Sequence, residues 1–285
     1  MKKVASNIYV STKYPGVNVG FITLPAGAAI AIDVPTLPQD ALVWRQKIVE
    51  KAGGPILYVV LTNVHPDRLL SAALFEAPLV AARSAYTRAA AYTDGFWRGV
   101  VEGWSRRYPE VAEDLGDANI VLPEIMFTDR LTLHKGGFDV TVEHVAGCAP
   151  ESAWVYLAEA DVLFAGDTVV VETHPFVGAV SDSKAWLNTL KALRRKRYAG
   201  TTIVPGRGPL CDQSATREMS DHIALMRRRA RSLQAGGRAR ADKAAIVSEL
   251  LPLYPVRDNE REVVQRRIKA GLDRLCDEVR ERTGS

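Results

Sequence analysis

The sequence has few of the features that mark secreted, disulfide-bonded or membrane-spanning proteins. Its three cysteines cannot all pair within one chain, and their spacing indicates neither a zinc knuckle nor a redox motif. No apolar run approaches the roughly 20 residues that cross a bilayer. The N-terminal MKKVASNIYV lacks the continuous apolar stretch of a signal peptide. We therefore expect a soluble cytoplasmic protein with reduced thiols that does not associate with membranes.

The sequence also has only a small net charge and lacks the common nucleotide-binding and serine-hydrolase motifs. The 37 basic and 33 acidic residues leave a formal charge of +4, too small an excess to indicate a nucleic-acid partner. The sequence has no P-loop, G-x-G-x-x-G or G-x-S-x-G motif, so nucleotide binding and serine hydrolysis are not favoured. With 47% hydrophobic residues over 285 positions, the chain has the composition of an ordinary globular protein with a large core.

Apolar patterns and turn residues predict two blocks of strands, each followed by helix. The predicted strands cover residues 8–11, 17–24, 29–34, 56–62, 130–133, 140–145, 153–157, 162–165 and 201–204. The predicted helices cover residues 39–52, 83–115 and 183–197. This order fits a two-sheet sandwich with outer helices better than a regular alternation of strand and helix.

The last part of the chain is predicted to be helical. Apolar stripes at helical spacing run from Met219 to Met226 and from Val264 to Val279. Gly236-Gly237 is expected to separate the helices that carry them. We expect residues 1–210 to form the main domain, and residues 211–285 to form a helical extension packed on it or on the partner in a homodimer.

Polar and reactive side chains cluster where four predicted strands end. They lie in residues 62–68, 143–148, 164–168 and 204–209. Loops held by a rigid sheet are frequent sites of binding and catalysis. We therefore expect these four segments to meet at one point.

The same segments resemble the metallo-β-lactamase superfamily, and the resemblance covers roughly residues 8–211. It rests on four fragments in the family's order, each weak alone: Asn18-Val19-Gly20-Phe21-Ile22 before Ala31-Ile32-Asp33, Val59-Val60-Leu61-Thr62, Val162-Leu163-Phe164-Ala165-Gly166-Asp167-Thr168, and Ile203-Val204-Pro205-Gly206. The resemblance implies an α/β fold, a four-layer αββα sandwich. It also implies a hydrolase ancestry in which metal-bound hydroxide is the nucleophile.

Most of the family's metal ligands are replaced in this chain. The family pattern has four parts: H-x-H-x-D-H, a later Pro-Gly-His, the aspartate of Gly-Asp-Thr and a final Pro-Gly-His-Gly. This chain matches it at His65, Asp67 and Asp167. The other four histidine positions of the pattern are occupied by Asn63, Arg68, Cys148 and Arg207.

The remaining donors imply at most one metal ion, with zinc the first choice, or none. By resemblance its ligands would be His65, Cys148 and Asp167, an imidazole, a thiolate and a carboxylate. A guanidinium stays protonated in proteins and cannot coordinate a cation. In place of a second ion, we expect Arg68 and Arg207 to pair with Asp67 and Asp167.

The sequence leaves open whether the protein is an enzyme. If it is active, the resemblance implies hydrolysis of a small ester, thioester or lactone, with Asp67 and His65 as catalytic groups. The alternative is a metal-free, non-catalytic protein that binds a small anionic ligand in a cleft. That cleft would be lined by Arg68, Arg207, Asn63 and His174.

Cys148 allows a third hypothesis, and the same residues also allow purely structural interpretations. A Cys148 thiolate activated by His65 would act without a metal. An isolated cysteine, however, is most often a small buried side chain, and an aspartate after a strand often caps a turn. The Arg227-Arg228-Arg229 run is more typical of a solvated helix face than of a phosphate site.

Overall fold

The computed structural model describes residues 1–116, 118–236 and 239–283, and within them the strands form two sheets. The first sheet runs in chain order, antiparallel from β1 to β4 and parallel from β4 to β7. Its strands are β1 (Lys2–Ala5), β2 (Ile8–Ser11), β3 (Val19–Leu24), β4 (Ala28–Ile32), β5 (Ile56–Val60), β6 (Leu79–Ala82) and β7 (Ile125–Phe127).

The second sheet has the order β12-β11-β10-β9-β8, and only its β11–β12 pair is parallel. Its strands are β8 (Arg130–Lys135), β9 (Phe138–His144), β10 (Ala153–Leu157), β11 (Val162–Val170) and β12 (Thr202–Arg207). Gly136 and Gly137 both have positive φ and close the β8–β9 hairpin, as their sequence predicts.

Helices lie on the outer faces of both sheets. They are α1 (Pro38–Ala52), α2 (Pro66–Leu69), α3 (Arg83–Ala90), α4 (Asp94–Arg107), α5 (Ala112–Gly116), α6 (Ser183–Leu193), α7 (Ala215–Gly236), α8 (Ala239–Leu250) and α9 (Arg261–Thr283). Helix α1 begins with Pro38 and ends at Gly53, whose left-handed backbone is typical of a helix C-terminus. Gly237, predicted to help separate two helices, lies outside the described residues.

Three apolar clusters hold the layers together. One lies between the sheets and contains Ile8 and Phe164, and a second, around Trp44, joins the first sheet to its helices. The third joins the second sheet to α6, α7 and α9 and contains Trp186 and Leu272. The predicted αββα sandwich is therefore confirmed, and burial of the strands on both faces explains their continuous apolar runs.

The strands that carry site residues are longer than the sequence predicts. Strand β11 continues to Val170 and β12 to Arg207, so Asp167 lies inside a strand and not in the loop that follows it. The β11–β12 pairing continues through register shifts on either side of Gly166, which has φ +53°. Within the described residues, no helix is long and apolar enough to cross a membrane.

His222 of α7 lies in an unusual position on the inner side of the C-terminal helices. Its side chain is 6% exposed, and its ring contacts the rings of His174 and Tyr254. Its Nε2 atom has no hydrogen-bond partner among the described residues. Burial lowers the pKa of His222 to about 4, so the ring is neutral at pH 7.

We predict that His222→Phe stabilises the protein most at acidic pH. Between about pH 6.5 and pH 4 the unfolded chain binds a proton at His222 that the folded chain does not bind. The free energy of unfolding of the wild type should therefore fall by about 1–2 kcal/mol more than that of the variant as the pH is lowered through this range. Urea unfolding at pH 7.5 and pH 5 measures the difference. Equal losses in the two proteins between these pH values would contradict the prediction.

Candidate functional site

A buried network of carboxylates and guanidiniums lies where the strand ends of the two sheets meet. It joins segments that are far apart in the sequence: Asp33 after β4, Asp67 and Arg68 in α2, Asp167 in β11, Arg207 at the end of β12, and Arg267 in α9. Three carboxylates thus face three guanidiniums. Three of the four segments singled out by their sequence supply four of these six side chains.

Arg68 is the centre of the network. Its Nη1 donates to Asp167 Oδ2 at 2.8 Å and its Nη2 to Asp167 Oδ1 at 3.0 Å, a bidentate pair. Its Nε lies 3.1 Å from Asp33 Oδ2, and the side chain is 0% exposed. Burial alone would lower the pKa of Arg68, but the two carboxylates outweigh it and raise that pKa. Arg68 therefore binds both oxygens of Asp167 as a fixed positive charge.

Asp33 is held in place by the loop that follows β5. It adopts φ +53°, and its two carboxylate oxygens accept hydrogen bonds from the Thr62 backbone N–H at 2.9 Å and the Thr62 hydroxyl at 2.7 Å. Because Thr62 precedes Asn63 directly, Asp33 ties the loop that carries His65, Asp67 and Arg68 to the end of β4.

Arg207 joins the two aspartates from the other sheet. Its Nη2 donates to Asp67 Oδ2 at 3.0 Å and its Nε to Asp167 Oδ1 at 3.4 Å. The backbone at Arg207 is fixed by Asn18, whose Nδ2 donates to Pro205 O and Gly208 O, each at 2.8 Å. Gly206 permits this approach, since a Cβ there would lie 2.2 Å from Asp167 Oδ1.

Two further elements, α4 and α9, place donors beside Asp67. Trp104 Nε1 of α4 donates to its Oδ1 at 2.9 Å, and Arg267 Nη2 of α9 lies 3.5 Å from its Oδ2. Burial opposes ionisation of Asp67, but His65, Arg207 and Arg267 outweigh it and hold its pKa well below the usual range. The pKa of Asp167 is likewise lowered, against burial, by Arg68 and Arg207.

His65 caps the short helix α2 and faces a cavity. Its Nδ1 lies 3.3 Å from the Asp67 backbone N–H, from which it accepts, and 3.4 Å from Asp67 Oδ2. Burial lowers the pKa of His65 to about 4, against the opposing effect of Asp67. Asn63 accepts the His65 backbone N–H at 2.8 Å and donates to Asp167 Oδ2 at 3.4 Å, so both residues belong to the network.

Cys148 lies buried close to the network, near Asp167 and Arg68, whereas His174 is directed away from it. Cys148 is buried with its Sγ 3.7 Å from Ser152 Oγ, and burial raises the pKa of the thiol to about 12. Such a thiol is protonated at neutral pH, which disfavours the nucleophile hypothesis. His174 Nε2 donates to Leu251 O at 3.1 Å and its ring packs against His222, so the structure does not bring it to Arg207.

The donors that are present do not fit the metal centre implied by the resemblance. Among the described residues, no group of three or more His, Cys, Asp or Glu side chains is arranged to hold a metal ion. Both oxygens of Asp167 accept from Arg68, and both oxygens of Asp67 accept from Trp104 or Arg207. The predicted ligands His65, Cys148 and Asp167 are therefore not assembled as a set, whereas the predicted aspartate–arginine pairs are present.

Two cavities lie beside the network. Cavity A, of about 430 Å³, is lined by Lys13, Arg207 and Arg257, among others. Cavity B, of about 620 Å³, is lined by His65, Asp67, Tyr92, Phe96, Gly99, Val100, Gly103, Arg106, Phe176 and Arg266, among others. Trp104, Arg107, Val263 and Arg267 line both cavities and form the wall between them.

Comparison with known proteins identifies the family of the chain and solved structures with a similar fold. The sequence model of the metallo-beta-lactamase superfamily matches residues 15–207. A metallo-beta-lactamase family protein from Thermus thermophilus is 18% identical with a TM-score of 0.70, covering 99% of this chain and 95% of that one. A metallo-beta-lactamase from Pontibacter korlensis is 22% identical with a TM-score of 0.58, covering 78% of this chain and 97% of that one. A search of curated proteins found no match. At these identities the solved structures show a common fold alone.

Proposed function

The chain belongs to the metallo-β-lactamase superfamily, and because arginines fill the place of its metal ligands we propose that it is a metal-free, non-catalytic protein that binds a small anion. The observation that carries this proposal is the bidentate pair between Arg68 and Asp167. Arg207 and Asn63 donate to the same two oxygens, so the roughly four lone-pair sites of the Asp167 carboxylate are all engaged, and the guanidiniums repel any cation nearby.

The anion would bind in cavity A, where positive charge exceeds negative charge. Arg107, Arg207 and Arg267 all line this cavity. Within the described residues Arg107 forms no ion pair, and its guanidinium stacks on Trp104 at 3.8 Å. Burial and the positive charge of Arg207 lower the pKa of Arg267. An anion between these side chains would relieve that repulsion and accept charge-assisted hydrogen bonds.

We predict that Arg107→Gln and Arg207→Ala each weaken the binding of inorganic phosphate and of small carboxylates by about tenfold or more, since a hydrogen bond to a charged group contributes about 1.5–3 kcal/mol. Isothermal titration calorimetry and ligand-induced thermal shifts measure the effect. Arg98→Gln is the matched control, because Arg98 is exposed on the same helix and lines neither cavity. Unchanged affinity in both arginine variants would contradict the proposal.

Hydrolysis is the second candidate, and the position of His65 and Asp67 on the wall of cavity B favours it. In this case a small ester, thioester or lactone would be cleaved with at most one metal ion, and His65, Cys148 and Asp167 would have to move into an arrangement that the described residues do not have. Elemental analysis of the purified protein separates the two candidates. A stoichiometric metal that is lost in Cys148→Ala would support hydrolysis and contradict the metal-free proposal.

A further inference from the structure

We infer that the ligand is an amphipathic anion, with its charged group between Arg107 and Arg267 and an apolar chain lying along cavity B. This inference rests on the proposed function, because it takes the anion site as given and adds the chemistry of the rest of the ligand. It depends on three properties of cavity B: an aromatic wall, an open floor and an excess of positive charge among the lining side chains.

The aromatic wall is formed by α4 and the segment before it. The Tyr92 and Phe96 rings stack with centroids 4.7 Å apart, and Phe96 is 45% exposed. Val100 and Phe176 extend this apolar surface inside the cavity. Exposed aromatic surface in a concave site is a typical feature of small-molecule pockets, because a bound apolar group removes that surface from water.

The open floor is formed by two glycines of α4. Gly99 and Gly103 are four residues apart and therefore lie on the same helix face. A Cβ built at either position would meet no other atom within 4 Å. Both glycines line cavity B, so the groove exists because no side chain fills it.

Five arginines among the described residues supply the positive charge of cavity B. Arg107 and Arg267 form the wall shared with cavity A, and Arg88, Arg106 and Arg266 line cavity B alone. Arg88 is already paired with Glu151. Glu262 also lines this cavity and lies 3.8 Å from Arg266. The oxygens of the other carboxylate, Asp67, already accept hydrogen bonds from Trp104 and Arg207. A small ion such as phosphate would use the charged wall and leave the aromatic wall uncovered, whereas an amphipathic anion uses both.

The test is a series of unbranched carboxylates from acetate to decanoate, with 1-decanol as the uncharged probe, titrated calorimetrically into the full chain. We expect affinity to rise on the order of threefold for each methylene that is buried. Decanol should bind more weakly than decanoate. Equal affinities for acetate and decanoate would overturn the inference.

Gly99→Leu and Gly103→Leu test the location of the chain. Leucine favours helix more than glycine does, so α4 should fold in both variants. We expect each variant to bind decanoate no more tightly than acetate, while the affinity for acetate stays as in the wild type. Gly95→Leu is the matched control, since Gly95 lies one turn earlier, also has open space around it and does not line cavity B.

The outcomes separate this inference from the proposed function. Binding of acetate that depends on Arg107 but not on chain length would overturn the inference and leave the anion site standing. No binding of any probe would overturn both. Sedimentation that shows a dimer in the wild type and a monomer in Gly99→Leu would identify the groove as a contact between copies, and would also overturn the inference.

Discussion

Replacing Arg68 with alanine should lower the free energy of unfolding by about 3–5 kcal/mol, because removing one member of a buried ion pair leaves its partner carboxylates without their main counter-charge. Arg68 is fully buried and lies against Asp167 and Asp33. Among the described residues, the donors that would remain are Thr62 for Asp33, and Arg207 and Asn63 for Asp167, and they do not replace a bidentate guanidinium. This cost is a large fraction of the total stability of a typical domain.

Two further variants make the Arg68 prediction specific. Arg45→Ala removes an arginine whose partner Glu76 is largely exposed, and it should change stability by less than about 1 kcal/mol. Adding Asp167→Asn to Arg68→Ala should recover part of the loss, since it removes one of the uncompensated charges. Unfolding in urea, followed by circular dichroism, measures all three. An Arg68→Ala midpoint equal to that of the wild type would show that the network does not stabilise the fold.

The fold was predictable because its signals are local. The β8–β9 hairpin has two glycines at its turn, and α1 has a proline at its start and a glycine at its end. Strands β1, β6 and β7 were not predicted. The shortest, β7, spans Ile125–Phe127 at the edge of the sheet, too few residues for alternation to be recognised.

The candidate site was predictable only where its residues fall within the segments that resemble the family pattern. The resemblance gave the positions of Asp67 and Asp167, and charge complementarity then predicted their arginine partners. Asp33 was noted only as part of a fold motif, because nothing local shows that its oxygens face Thr62 and Arg68. Its position directly after a strand that neighbours β5 is the one signal that pointed to the site.

The remaining site residues come from packing that no local pattern records. Trp104 is 37 residues from Asp67 along the chain. From the sequence alone a tryptophan at helical spacing is interpreted as a core residue, and only the structure shows that its indole N–H donates to the Asp67 carboxylate. Arg267 lies in the charged side of an amphipathic helix, where most arginines are solvated. His174 was expected in the cleft because it follows Asp167 closely, but the chain turns toward Leu251 and Tyr254.

Restoring histidine at positions 63, 68, 148 and 207 should give a protein that binds zinc at about one ion per chain or more, whereas we expect the wild type to bind no stoichiometric zinc. The substitutions are Asn63→His, Arg68→His, Cys148→His and Arg207→His. They remove the Arg68 and Arg207 guanidiniums from Asp167 and Asp67, leave Trp104 and Arg267 beside Asp67, and place neutral imidazoles near both carboxylates. Without metal the variant should be less stable than the wild type, because the carboxylates have lost their counter-charges.

Zinc would then take the role that the arginines have in the wild type, so added zinc should raise the melting temperature of the variant and leave that of the wild type unchanged. Elemental analysis after dialysis gives the metal content. The same quadruple variant with Asp167→Ala is the control, since it keeps the histidines but lacks the carboxylate that faces both sheets. If the wild type itself retained stoichiometric zinc, the guanidiniums would not be substituting for an ion. If the quadruple variant folded but bound no zinc, these four side chains would not be the reason that this chain lacks the metal site of the family pattern.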